Sequence, residues 1–201
     1  MDVRSVGERG LLVEVADAVE ALDLATWLRG RTPCAEVVPA ARTVLVDGAA
    51  DPAAVRRLLP DWTPSRRRPE GPLVELPVVY DGADLGRVAD LWGTDPAGVA
   101  RVLGEIELVA AFSGFAPGFS YLAGLPPELA VPRLESPRPR VPAGAVAVAD
   151  TWCGVYPSAS PGGWSLLGRT DVVTWDQARE RPALLAPGTR VRLRPAEAGG
   201  R

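Results

Sequence analysis

The stretch from Gly114 to Arg169 constrains this chain more than any other. It begins Gly114-Phe115-Ala116-Pro117-Gly118-Phe119-Ser120-Tyr121 and ends Ser160-Pro161-Gly162-Gly163-Trp164-Ser165-Leu166-Leu167-Gly168-Arg169. Between lie Pro132-Arg133, Pro137-Arg138-Pro139-Arg140-Val141-Pro142-Ala143-Gly144 and Gly154-Val155-Tyr156-Pro157. Glycine and proline at this density force the backbone to turn sharply many times, with large rings and fixed positive charges held at the turns. Two readings fit the pattern. One is an all-β domain whose turns need Gly and Pro and whose rings fill a small barrel. The other is a pocket with an aromatic wall, exposed backbone N–H groups at glycines, and arginines for an anionic ligand.

Composition narrows the chemistry. The 201 residues include no histidine, lysine or asparagine. A Ser-His-Asp triad, histidine metal ligands, a Schiff-base lysine and a P-loop lysine are therefore excluded. Proton transfer falls to carboxylates, tyrosine, cysteine, water or a partner chain. The net charge of −3 gives no broad basic surface for nucleic acid. Cys34 and Cys153 stand far apart and form no metal-ligand cluster, so no metal site is expected. No secretory leader and no run of transmembrane length is visible, which predicts a reduced, cytoplasmic protein without membrane contact.

The chain order predicts two parts. Asp2 to Val6 and Leu11 to Val15 read as strands about a Gly7-Glu8-Arg9-Gly10 turn. Asp17 with Glu20 three residues on is a capping-box pattern opening a helix over Ala18 to Leu28. Glu36-Val37-Val38 and Thr43-Val44-Leu45-Val46 predict a second hairpin, and Asp51-Pro52 starts a second helix. Residues 1–65 are thus a small α+β domain with helices on one sheet face. Residues 66–72 form a linker around Arg66-Arg67-Arg68, read as a solvated charge run rather than a nucleic-acid patch.

Residues 73–201 begin with an extended run, Leu73 to Tyr80. Helices are predicted from Leu85 to Gly93 and from Asp95-Pro96 to about Leu103. From Glu107 onward the elements are short and β-like: Glu107 to Phe112, Val141, Ala145 to Val148, Val155-Tyr156, Trp164 to Leu167, Val172 to Trp175, and a final strand over Arg190 to Leu193. A closed barrel leaves no exposed edges and is the economical architecture.

The run GFAPGFSYLAGLP, then PR, PRPRVPAGAVAVA and GVYPSASPGGWSLLGRT, resembles the signature of the 5-oxoprolinase B-subunit family, also called KipI-like or carboxyltransferase C/D. The resemblance covers nearly all the chain. It implies an α+β fold, a ferredoxin-like N-terminal domain followed by a cyclophilin-like β-barrel. It further implies a role beside two partners, a KipA-like C subunit, and a LamB/YcsF-like A subunit. Together such proteins cleave the lactam of 5-oxoproline to glutamate at the expense of ATP. The resemblance implies ATP, with Mg, shared with the partner subunit; no Walker or Rossmann fingerprint is present, so ATP would use a site the sequence does not advertise or one shared with that partner.

The motif residues supply the candidate site. Arg133, Arg138, Arg140 and Arg169 offer guanidinium forks for phosphate or carboxylate, with a surface ion pair as the bland reading of each. Phe115, Phe119, Tyr121 and Tyr156 would wall a pocket against a lactam ring or an adenine, or be simple core, and Trp164 joins the substrate-binding set from the same motif as Gly162-Gly163. Pro117, Gly118, Ser160, Gly162 and Gly163 belong to the same loops, where glycines let a backbone N–H approach an anion. No catalytic residue is assigned.

Three positions depart from the family pattern. Leu103 stands where members usually carry a histidine, and Trp152 stands where an amide side chain is usual. Cys153 replaces a threonine and reads as a small buried residue rather than a nucleophile. The alternative function is a KipI-like binding protein that inhibits a sensor histidine kinase. Urea or allophanate chemistry remains a substrate-level alternative, and prolyl isomerase activity rests on barrel analogy alone.

Overall fold

The computed structural model describes residues 1–65 and 70–197, so Arg66-Arg67-Arg68 lies outside the described residues. The chain forms two compact units, residues 1–68 and 69–201. In the first, β1 (Val3–Val6) and β2 (Gly10–Glu14) form the expected hairpin, followed by α1 (Ala18–Leu28), β3 (Glu36–Pro39), β4 (Thr43–Asp47) and α2 (Pro52–Leu58). The sheet order is β1-β2-β4-β3, antiparallel throughout. This is the ferredoxin-like βαββα arrangement, with the hairpin strand β1 taking the edge beside β2.

Local chemistry sets the helix starts. The Asp17 carboxylate accepts the N–H groups of Val19 and Glu20, both at 2.9 Å. Glu20 reaches back to the N–H of Ala16 at 3.0 Å, one residue beyond the capping-box partner. Asp51 caps α2 through the Ala54 N–H, with Pro52 at the first helical position. Leu24, Ala25 and Leu28 of α1 then pack on Val13, Val37, Val44 and Val46 of the sheet.

Each outer strand has one outward carbonyl taken by an arginine. Val3 of β1 and Val37 of β3 turn their carbonyls away from the sheet. Arg56 donates to the Val3 carbonyl at 2.9 Å and to the Ser5 hydroxyl at 3.1 Å, and Arg29 donates to the Val37 carbonyl at 2.7 Å. Pro39 removes a further edge donor. Each occupied carbonyl is one fewer acceptor on which another strand could pair.

The second unit runs β5 (Leu73–Val78), α3 (Leu85–Leu91), α4 (Pro96–Glu105), β6 (Leu108–Ser113), β7 (Ser120–Ala123), β8 (Arg138–Val141), β9 (Ala145–Ala149), β10 (Trp152–Val155), β11 (Ser160–Gly162), β12 (Ser165–Arg169) and β13 (Arg190–Pro195). Seven strands pair in the order β12-β9-β10-β7-β6-β13-β5, with β5 parallel to β13. Val79 and Arg169 exchange backbone hydrogen bonds, both 2.9 Å, and so join the first strand of this sheet to the last. The sheet is thereby a closed barrel, as the motif-dense sequence predicts.

β9 shows how the barrel carries two kinds of interior. Its alternation puts Val146 and Val148 into the main core with Leu76, Leu103, Leu122 and Leu193. Ala145, Ala147 and Ala149 face the opposite side, against Phe119, Tyr156 and Trp164. Methyl-sized residues on one face of a strand leave room for rings, so the sequence AVAVA places an aromatic cluster outside the aliphatic core.

Three details differ from the sequence expectation. Val172 to Trp175 is not a strand of the barrel; only Trp175 bridges, to Ala183, and Leu184 N–H bonds the Thr174 carbonyl at 3.0 Å. That loop satisfies its backbone locally and needs no place in the sheet. β7 and β11 are strands in their own right, β11 pairing with β8 as a separate two-stranded ribbon.

Candidate functional site: an aromatic cavity with an arginine rim

The barrel delivers its rings to one place. Tyr121 on β7 stacks on Phe112 of β6 with centroids 4.4 Å apart, and Trp152 at the start of β10 meets both edge-on at 5.4 and 5.8 Å. Phe119, just before β7, contacts Tyr156 and Trp164 edge-on, both at 5.4 Å. Edge-to-face rings at these separations are mutually attractive and hold one another's orientation. They bound a cavity of ≈250 Å³ lined by Phe115, Phe119, Tyr121, Tyr156 and Trp164 on the apolar side. Arg133, Pro137, Pro161, Gly162 and Gly163 complete its rim.

Gly162 is the tightest point of the rim. A Cβ there would overlap the Tyr156 hydroxyl and lie 2.9 Å from its Cζ, so only glycine lets that phenol reach the cavity. Phe115 forms the mouth. It is 60% exposed, holds φ at +69°, and meets Phe119 and Tyr156 edge-on at 5.4 and 6.2 Å. A bulky side chain in the left-handed region costs on the order of 1–3 kcal/mol, which identifies the GFAPGF loop as a strained segment presenting an aromatic face to solvent. The loop is held by Ala116 N–H on the Gly114 carbonyl at 2.8 Å and Phe119 N–H on the Ala116 carbonyl at 2.9 Å.

The four motif arginines go to different places. Arg133 lines the cavity and has no carboxylate within ion-pair distance among the described residues. Arg138 is held by Asp84, whose Oδ1 accepts from its Nη2 at 2.7 Å. Asp84 is 7% exposed, and its Oδ2 accepts the Leu166 N–H at 2.7 Å. The other terminal nitrogen of Arg138, Nη1, is buried with no protein partner. Arg140 lies exposed on β8, away from the cavity lining. Arg169 pairs with Asp81 at 2.9 Å and faces a separate hollow of ≈690 Å³ with Thr170, Asp171 and Glu197.

The remaining motif residues sit around the cavity without lining it. Gly118 packs against Trp175 and Pro157, Pro117 belongs to the strained loop, and the Ser160 hydroxyl is buried without a partner. Two residues outside the motifs matter to the rim. Asp84 orients Arg138, and Arg87 of α3 donates to the Ser165 hydroxyl at 2.7 Å and to the Pro132 carbonyl at 3.2 Å. Arg87 thus ties the backbone beside Arg133 to the start of β12. Asp84 occupies the N-cap position of α3 yet makes no cap hydrogen bond, so its partners, 54 and 82 residues away in sequence, leave no local signal.

The departures from the family pattern sit in packed positions. Leu103 is fully buried in the aliphatic core and not on the cavity lining. Trp152 buttresses Tyr121 and Phe112 from behind. Burial pushes the Cys153 thiol up to about 12, so no thiolate is available near neutral pH. We expect a thiol reagent at pH 8 to label Cys34 alone, with Cys153 modified only on unfolding; early labelling of both would contradict this placement. Because the folded value lies above that of the free thiol, this group's stabilising effect is full below the unfolded pKa and is lost as pH rises towards 12.

Burial likewise raises the Tyr156 phenol, while Arg133 and, more weakly, Arg138 and the Trp164 N–H pull the other way. The phenol therefore stays a hydrogen-bond donor at neutral pH. Among the described residues no group of three or more His, Cys, Asp or Glu side chains could hold a metal ion. None of their helices is long and apolar enough to cross a membrane.

Residues 1–185 match the carboxyltransferase domain, subdomain C and D, and a relative from Escherichia coli O157:H7 named as the B subunit of 5-oxoprolinase is 44% identical over 150 residues, 73% of this chain and 69% of the relative. The chain belongs to the 5-oxoprolinase B-subunit family. Another protein of the same name, from Bacillus subtilis strain 168, is 41% identical over 124 residues, 60% of this chain and 52% of that one. The crystal structure of TTHA0988 superposes with a TM-score of 0.77 at 38% identity, over 96% of this chain and 41% of that chain. This family member thus spans less than half the length of TTHA0988 and about half to two thirds of its curated relatives.

Proposed function

We propose that the chain is the B subunit of an ATP-dependent 5-oxoprolinase, acting with a KipA-like C subunit, and with a LamB/YcsF-like A subunit, on the lactam of 5-oxoproline. One observation carries the reading: an aromatic-walled cavity of ≈250 Å³ with an acid-free arginine, Arg133, on its rim. That volume lies just below the ~300–1,000 Å³ typical of drug-sized ligands and suits a single small ring. A five-membered lactam is an unreactive amide, so its cleavage needs coupling to ATP. The chain's own part is to bind the ring, orient it and exclude water.

Among the described residues, neither the aromatic cavity nor the larger hollow suits the nucleotide. The aromatic cavity is too small for a triphosphate nucleotide. In the larger hollow Arg169 is already neutralised by Asp81, and Asp171 and Glu197 add negative charge. ATP is accordingly assigned to the KipA-like partner, and no catalytic step on this chain is drawn from it.

The test is ADP and glutamate formation by this chain mixed with its cognate KipA-like and LamB-like proteins, with and without 5-oxoproline, against each protein alone. Turnover only in the mixture supports the reading. Assembly without stimulated turnover would overturn it in favour of a binding protein, the histidine-kinase inhibitor being the candidate.

A further inference from the structure

The geometry points to a carboxylate receptor in the aromatic cavity, formed by Arg133 and the Tyr156 hydroxyl with the fixed charge of Arg138 behind them, that takes a small ring acid by its carboxylate and leaves the rest of the ring to the aromatic wall. This rests on the reading of the cavity as a ring-binding site and names the group by which the ring is held.

Three observations converge on the same point. First, Gly162 and Arg138 are direct partners across the β11–β8 ribbon, and directly opposed residues project to the same face. The Cβ direction of Gly162 runs into the Tyr156 hydroxyl. Arg138 therefore leaves the ribbon on the face that carries the phenol oxygen. Second, the guanidinium is fixed rather than mobile, since Asp84 holds Nη2 and is itself held by the Leu166 N–H, both at 2.7 Å. The fixture spends one side of the fork and leaves Nη1 buried without an acceptor.

Third, Arg133 lines the cavity and carries no acid partner within ion-pair distance among the described residues. Two guanidiniums against one carboxylate leave one uncompensated positive charge beside a phenol that donates. An oxyanion with two oxygens can meet the Arg133 fork and the Tyr156 hydroxyl at once, and the fixed Arg138 charge behind the phenol adds to the attraction. Of the anions this arrangement attracts, a ring carboxylate matches the single spare charge and the volume. A triphosphate matches neither. The Arg140 and Arg169 side chains take no part.

The experiment is a titration of the full chain, followed by Trp164 fluorescence and confirmed by calorimetry, with four probes: 5-oxoproline, cyclopentanecarboxylate, 2-pyrrolidinone and ATP. Both carboxylates are expected to bind and to compete, with 2-pyrrolidinone at least tenfold weaker. Arg133→Ala and Tyr156→Phe should each weaken both carboxylates about tenfold or more while leaving 2-pyrrolidinone unchanged. Arg138→Lys, which keeps the charge but not the fork, should fall between, and circular dichroism checks that each variant is folded. Equal binding of 2-pyrrolidinone and 5-oxoproline, competition by ATP, unchanged affinity in both Arg133→Ala and Tyr156→Phe, or no saturable binding of either carboxylate would each overturn the assignment. The outcomes separate from those for the enzyme complex. Carboxylate binding that depends on Arg133 and Tyr156, with a complex that does not turn over, keeps the receptor and removes the oxoprolinase reading. A complex that turns over, with binding indifferent to these residues, does the reverse.

Discussion

Gly168→Ala is expected to destabilise the barrel by about 3 kcal/mol or more, among the larger effects a single substitution produces. Gly168 sits on β12 where the sheet closes on itself. A Cβ there would overlap the Val79 carbonyl oxygen and lie 2.9 Å from the Tyr80 Cα. Neither atom is the end of a flexible side chain. The Val79 carbonyl accepts the Arg169 N–H at 2.9 Å, one of the two bonds that shut the barrel, so relieving the overlap means parting the seam. Gly86→Ala, at a helix position with no heavy atom near the new methyl, is the control. It should be neutral or stabilising by up to about 1 kcal/mol, because alanine narrows the unfolded ensemble and favours helix. Urea unfolding followed by far-UV circular dichroism separates the two. A loss below about 1 kcal/mol in Gly168→Ala would show that the seam yields and the closure is not a rigid element.

The closed barrel is legible in the sequence because its causes are local. Pro96 after Asp95, the alternation of Ala145 to Ala149 and the turn glycines each dictate backbone geometry within a few residues. The same holds for the rings: Phe119, Tyr121, Tyr156 and Trp164 sit at the ends of strands that the motifs announce, and the structure brings them to one cavity. What the sequence hides is everything set by closure. Arg138 and Arg169 look alike as arginines embedded in Gly/Pro motifs. Register alone puts the first beside Tyr156 and the second beside Asp81 at another hollow. Asp84 gives no sign because it stands before a helix, where an aspartate normally caps; here the short α3 leaves its carboxylate free for partners that only the folded barrel supplies. Val172 to Trp175 has strand-like composition, but the barrel is already closed by Arg169 and Val79 and has no open edge to accept it.

Asp84→Ala is expected to cost about 3 kcal/mol, the lower end of what breaking a buried ion pair costs by removing one partner. The loss comes from what is left behind: a largely buried Arg138 guanidinium without a counter-charge, and a Leu166 N–H without its acceptor. Asp84→Asn keeps an acceptor for the N–H and should lose less. The double substitution Asp84→Ala with Arg138→Met removes the stranded charge as well, and should recover a substantial part of the stability, since replacing a buried pair by apolar groups is often close to neutral. The positive deviation from additivity in this cycle is the measurement. Carboxylate binding should not follow stability back. The double variant also lacks the Arg138 charge, so it is expected to be stable and to bind 5-oxoproline weakly; binding that returns along with stability would show that Arg138 takes no part in holding the carboxylate. A single-variant loss under about 1 kcal/mol with binding intact would show that the pair is a surface contact and that the cavity holds its ligand by Arg133 and Tyr156 alone.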